Sequence, residues 1–158
     1  MKEMRHATRI VILGIGNTEK GDDSAGVRCA EALAHKLKHP SIKVIIAGEV
    51  PENYTGMIRS YNPTHVVIID ACAKGMKPGA VFLVDPSKIA NDDVSTHRMP
   101  LSLFTMFLEK TVRCKVLIIG IEPQSVDWHE GMSATVAESI LHIADNLSTA
   151  LLATLKPR

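Results

Sequence analysis

The stretch RIVILGIGNTEKGDDSAG, residues 9–26, decides the fold. Its first six residues, Arg9 to Gly14, form a short β-branched run that ends in glycine, as a buried strand does. A polar, glycine-rich loop follows. From Asp22 to Lys38 the apolar residues recur at helical period, with Val27, Ala30, Ala34 and Leu37 on one face. His39-Pro40 stops that helix. A strand, a loop and a helix in this order open a βαβ unit.

Working outward, the alternation continues. Lys43 to Ala47 reads as a second strand. Pro51-Glu52 starts a short helix with Tyr54, Met57, Ile58 and Tyr61 sharing a face. His65 to Asp70 is a third strand, apolar until its last residue, and Ala80 to Val84 a fourth. Only Ala71 to Gly79 separates these two, with the turn signal Lys77-Pro78-Gly79. That is too short for a parallel crossover, so the fourth strand is expected to run antiparallel at or near an edge. Pro100 to Lys110 is a helix with Leu103, Phe104, Phe107 and Leu108 expected to face inward. Lys115 to Ile121 is the fifth strand. Ser133 caps a last helix with the stripe Val136, Ile140, Ile143, Leu147 and Leu151. The pattern predicts one α/β domain over residues 1–158. It is a three-layer sandwich whose five-stranded, mostly parallel twisted sheet has one antiparallel strand and helices on both faces.

Composition bounds the function. The chain has 158 residues, 46% hydrophobic and 22% charged, with a net charge of +1. Nothing there draws it to nucleic acid or to an anionic membrane. Aromatics at 4% leave too few rings for a base-stacking platform. No apolar run reaches membrane-spanning length, and Ile10 to Gly14 is too short for a signal-peptide core. The expectation is a cytoplasmic protein. Its three cysteines, Cys29, Cys72 and Cys114, have no C-x-x-C spacing and read as small apolar residues.

In such sheets ligands bind beyond the carboxyl ends of the strands. The loop after the first strand has the glycine spacing of a phosphate loop at Gly16 and Gly21. However, Asp22 and Asp23 stand where Lys and Ser/Thr belong. Two carboxylates at a helix start repel a phosphate and suit a cation. One of two adjacent acids suffices for that role, and Asp22 reads as a capping or first-turn residue. Asp70 ends a central strand, where a carboxylate is half-buried and needs a partner. His97 sits in the long loop Pro86 to Met99. Asp23, Asp70 and His97 lie on three segments that meet at one sheet edge. Two carboxylates and an imidazole are an oxygen/nitrogen set for a divalent metal, with positions left open for water or substrate. Cys72 is a weaker candidate ligand and reads as packing.

Several motifs then fall in order: Gly14-x-Gly16-Asn17, Gly21-Asp22-Asp23-x-x-Gly26, Pro51-Glu52-Asn53, Asp70-Ala71, Asp85-Pro86, and Ser95-Thr96-His97-x-Met99-Pro100-Leu101. Together they resemble the nickel–iron hydrogenase maturation proteases. The Met-Pro-Leu after the histidine resembles the type that processes formate-hydrogenlyase hydrogenases. The resemblance spans about Arg9 to Pro123. It implies a metal-dependent endopeptidase that removes a C-terminal extension from the hydrogenase large-subunit precursor once nickel is inserted. It also implies Asp23, Asp70 and His97 as the metal-binding and catalytic positions. The nickel is expected to be held by the substrate, while zinc or cadmium can occupy the site in vitro. Two other readings stay open from the residues alone: a non-catalytic α/β binding module, and a zinc-dependent hydrolase with its own metal.

Overall fold

The computed structural model describes residues 2–88 and 100–155. Among the described residues the strands and α-helices follow in the order β1 (Ile10–Ile15), α1 (Ala25–Lys36), β2 (Ile42–Gly48), α2 (Thr55–Tyr61), β3 (His65–Ala71), β4 (Val81–Val84), α3 (Leu101–Thr111), β5 (Lys115–Ile121) and α4 (Ala134–Thr154). Short 3-10 turns at Gly21–Ser24 and Pro51–Tyr54 lead into α1 and α2. The first of these takes the place of the first helical turn expected at Asp22.

The five strands form one sheet in the order β2-β1-β3-β5-β4. The pairs β1–β2, β1–β3 and β3–β5 are parallel, and β4 runs antiparallel to β5 at the edge. From β1 the chain goes outward to β2 and then returns to β3 on the other side. Strand order therefore reverses at β1, and the crevice between the carboxyl ends of β1 and β3 is the switch point.

The inner strands are apolar on both faces because both are covered. Ile10, Ile12, Val67, Ile69 and Ile121 pack with Leu33 of α1 and with Val136, Ile140 and Leu151 of α4. The alternate residues Val11, Leu13, Val66, Ile68 and Ile118 pack with Ile58 of α2 and with Leu101, Phe104 and Leu108 of α3. Met4 and Ala7, from the segment before β1, join the first of these two cores. Ser133 caps α4 as expected, its Oγ accepting from the Val136 N–H at 3.4 Å. Among the described residues, no helix is long and apolar enough to cross a membrane.

The structure corrects the inward face of α3. Phe104 and Leu108 are buried as expected, and with them Leu101 and Thr105. Leu103 and Phe107 point outward, 46% and 43% exposed. Five of the first eight residues of α3 are Leu or Phe, with Met106 among them, and they spread around the helix. Several faces were thus equally apolar, and packing against the sheet selected one of them.

At the opposite edge of the sheet, His65 begins β3 and is buried. Its Nδ1 lies 3.1 Å from Thr64 Oγ1, and its Nε2 has no hydrogen-bond partner among the described residues. Burial, and then the Lys115 charge, hold its pKa below the ordinary histidine value. The unfolded chain therefore takes up this proton first. The stabilisation is full above about pH 6.5, the unfolded value, and is lost as the pH falls below it. The urea midpoint is expected to fall between pH 7.5 and pH 5, and His65→Gln is expected to flatten that fall. Equal pH slopes for the two proteins would show that His65 does not titrate this way.

Candidate active site

The loop after β1 is shaped by close approaches that only glycine permits. Gly16 has φ +147°, and a Cβ there would meet the Asp23 carbonyl oxygen at 2.0 Å. The loop thus wraps directly against Asp23. A Cβ on Gly26 would lie 2.1 Å from the Ile69 carbonyl and 2.2 Å from the Ile15 carbonyl. The start of α1 therefore sits on the ends of β1 and β3 with no side chain between. Gly26 is three residues from Asp23, and Ile69 precedes Asp70. This packing sets both acids at the switch point.

The two neighbouring acids do different work. Asp22 is an anchor. Its Oδ2 accepts from the Gln124 N–H and the Ser133 hydroxyl, both at 2.8 Å, and from the Ser125 N–H at 3.3 Å; its Oδ1 accepts from the Ser133 N–H at 2.8 Å. Its own N–H donates to the Ser125 carbonyl at 2.9 Å. This carboxylate ties the first loop to the segment between β5 and α4, more than a hundred residues away in the chain. The capping role read from sequence is replaced by that tie. Asp23, 2% exposed, accepts from the Asn17 N–H at Oδ2, 3.3 Å away. Asn17 is itself fixed by its Oδ1, which accepts from the Glu19 N–H at 2.8 Å in an Asx turn.

Asp70 is fully buried at the end of β3, in register with Gly120 of β5. Glu122, just past β5, is another buried acid. Its carboxylate accepts from the Lys74 N–H at 2.8 Å and the Gly75 N–H at 3.1 Å, which closes the loop after β3. Cys72 is buried, and burial, then the charges of Asp70 and Glu122, push its thiol well above the usual cysteine range. A protonated, buried thiol agrees with the packing role expected of it.

Of the three candidate metal-site residues, the structure brings Asp23 and Asp70 to one crevice. His97 lies outside the described residues. Among the described residues, no three His, Cys, Asp or Glu side chains gather to hold a metal ion. The donor chemistry present is two buried carboxylates at the mouth of the crevice. Such hard oxygen donors fit a divalent cation and reject an anion. Beside them lies a polar cavity of about 480 Å³ between the Gly16–Glu19 stretch and the end of β2, with Glu31 and Tyr54 in its wall. Lys20 Nζ sits 4.3 Å over the Trp128 ring, and the His129 N–H donates to the Glu19 carbonyl at 2.8 Å. Trp128 and His129 are thereby fixed beside the first loop.

Sequence reading missed the partners of Asp22 and Glu122, because nothing local marks a carboxylate whose donors are distant in the chain. The Asn17-x-Glu19 turn carried a local signal in its residue types and spacing.

Comparison with known proteins agrees with this architecture. A family model described as HycI, hydrogenase maturation protease, matches residues 27–150, a span that starts just past Asp23 and includes Asp70 and His97. The hydrogenase 3 maturation protease of Escherichia coli K12 is 34% identical over 131 residues, covering 82% of this chain and 83% of that protein. The crystal structure of a [NiFe] hydrogenase maturation protease HycI from Thermococcus kodakarensis superposes with a TM-score of 0.88 at 34% identity. That superposition covers 95% of this chain and 96% of the other. The hydrogenase maturating endopeptidase HybD from Escherichia coli gives a TM-score of 0.78 at 27% identity, covering 92% and 93%.

Proposed function

The chain belongs to the hydrogenase maturation protease family, and we propose that it removes the C-terminal extension of a nickel–iron hydrogenase large-subunit precursor after nickel has been inserted. One observation carries this reading. Asp23 and Asp70, distant in sequence, are both buried at the β1/β3 switch point, held together by the contact of Gly26 with the Ile69 carbonyl.

In this reading the metal arrives with the substrate. Asp23, Asp70 and His97 bind the precursor's nickel, and so recognise a precursor that has received it. Two carboxylates and an imidazole hold a first-row divalent ion more weakly than a set with thiolates. The free protease is thus expected to bind metal weakly, and zinc or cadmium added in vitro would occupy the same three groups. A metal held there supplies Lewis-acid polarisation to a nearby carbonyl or water. The chain's residues do the remainder. Asn17 fixes the Asp23 carboxylate through its N–H. Asp22 holds the loop in place without facing the substrate. Water adds to the scissile carbonyl, the C–N bond breaks, and the extension leaves as a peptide with a new amino terminus.

The test is the mass of a co-purified precursor after incubation with the protein, run in parallel on nickel-loaded and metal-free forms. Loss of the extension from the loaded form, at least about a hundredfold faster than from the metal-free form, is expected if nickel supplies the missing coordination. Equal rates would remove the substrate's metal from recognition. A stoichiometric metal in the purified protease that resists mild chelation would instead favour a hydrolase with its own zinc.

A further inference from the structure

The outward turn of Leu103 and Phe107 leaves an apolar groove of about 470 Å³ on the α2/α3 face of the sheet. Its walls include Glu52 and Thr55 on one side and Leu103, Met106, Phe107 and Lys110 of α3 on the other. Met106, like Leu103 and Phe107, is more than two-fifths exposed. Three adjacent, large, exposed apolar side chains on one helix are costly unless something covers them.

Topology fixes the groove's direction. Pro51–Tyr54 follows the carboxyl end of β2, and α3 runs back down the sheet toward the start of β5. The Glu52 and Leu103 end therefore opens at the same sheet edge as Asp23 and Asp70, and the Lys110 end lies away from it. From Leu103 to Lys110 the helix rises about 10 Å, the reach of about three extended residues. The ends differ in charge, with a carboxylate next to the site and an ammonium at the far end. Glu52 Oε2 is buried and has no hydrogen-bond partner among the described residues. A shielded carboxylate oxygen without a donor is unfavourable, and Glu52 is part of the groove wall.

We infer that this groove binds an apolar segment of the precursor chain that runs away from the scissile bond, with a hydrogen-bond donor of that segment, best a Lys or Arg, meeting Glu52. The inference rests on the proposed proteolysis and names where that substrate is gripped outside the metal site. A substrate cut within its chain must be held beyond the bond itself. The groove starts at the site's edge, is apolar along its length, and offers one acceptor where a donor is needed.

The test uses the full-length protein and purified nickel-loaded precursor. Met106→Glu and Phe107→Glu change exposed side chains and leave the core intact. Each is expected to raise KM about tenfold or more with kcat within twofold of wild type, because it removes binding common to ground and transition states. Glu52→Gln is expected to raise KM severalfold. Leu141→Glu, at an exposed position on α4, is expected to change neither constant. A benzophenone amino acid at position 106 is expected to cross-link to the precursor. Unchanged KM in the groove variants while wild type still cleaves would overturn the groove and leave the proteolysis standing. So would cross-links confined to a second copy of the chain or to its own residues 89–99. Failure of the wild type to cleave any nickel-loaded precursor would overturn both.

Discussion

Asp23→Asn and Asp70→Asn are each expected to slow cleavage of nickel-loaded precursor by about a thousandfold or more while leaving the protein folded. Metal polarisation of a reacting carbonyl or water is worth several kcal/mol, and each ~1.4 kcal/mol is a factor of ten in rate. Asn keeps the size of Asp, and its side-chain oxygen still accepts from the Asn17 N–H at position 23. What it removes is the charge that would grip the cation in the proposed site. His97→Ala is expected to act likewise through the lost imidazole. The measurement is the single-turnover rate of precursor cleavage by mass, with circular dichroism and the urea midpoint as the check on folding. A variant that is folded and cleaves at the wild-type rate would take that residue out of the site.

The second large effect is on assembly. Gly26→Ala puts a methyl group within 2.1–2.2 Å of two backbone carbonyl oxygens. Neither can swing aside, because Ile15 and Ile69 belong to strands in the middle of the sheet. The start of α1 must lift, at a cost of about 3–5 kcal/mol. The Asp23 loop lifts with it, so precursor cleavage is expected to fall in whatever fraction stays folded. Gly56→Ala is the control. In α2, a Cβ at Gly56 meets nothing within 4 Å, and the substitution is expected to stabilise by about 0.5–1 kcal/mol. Urea unfolding of both variants beside wild type reads the contrast. Equal midpoints for Gly26→Ala and wild type would mean that α1 does not pack as closely as described.

These residues also show what a sequence discloses and what it withholds. The strands were legible because β-branched runs ending in Gly or Asp have few other uses; β5 runs from Lys115 to Ile121 as read. The antiparallel edge strand followed from a connection too short for a crossover, and it pairs with β5 as expected. The nearness of Asp23 and Asp70 was legible, since one follows β1 at the start of α1 and the other lies at the end of β3, and sheet topology alone brings such positions to one edge. The face of α3 was not legible. Periodicity selects a face only when the others are polar, and here Leu103, Met106 and Phe107 are as apolar as the residues that went inward. Nor was the division of labour between Asp22 and Asp23 legible. It depends on donors at Gln124, Ser125 and Ser133, and adjacency in the chain says nothing about which carboxylate meets them.

The Asp22 tie bears on the order in which the chain's parts become fixed during synthesis. During synthesis the Gly16–Asp23 stretch emerges early, but the donors that fasten it emerge only after about four-fifths of the chain has been made. A nascent polypeptide that stops short of Gln124 lacks the Gln124, Ser125 and Ser133 donors, so the Asp22 side chain has none of the partners that fasten this loop to the segment between β5 and α4.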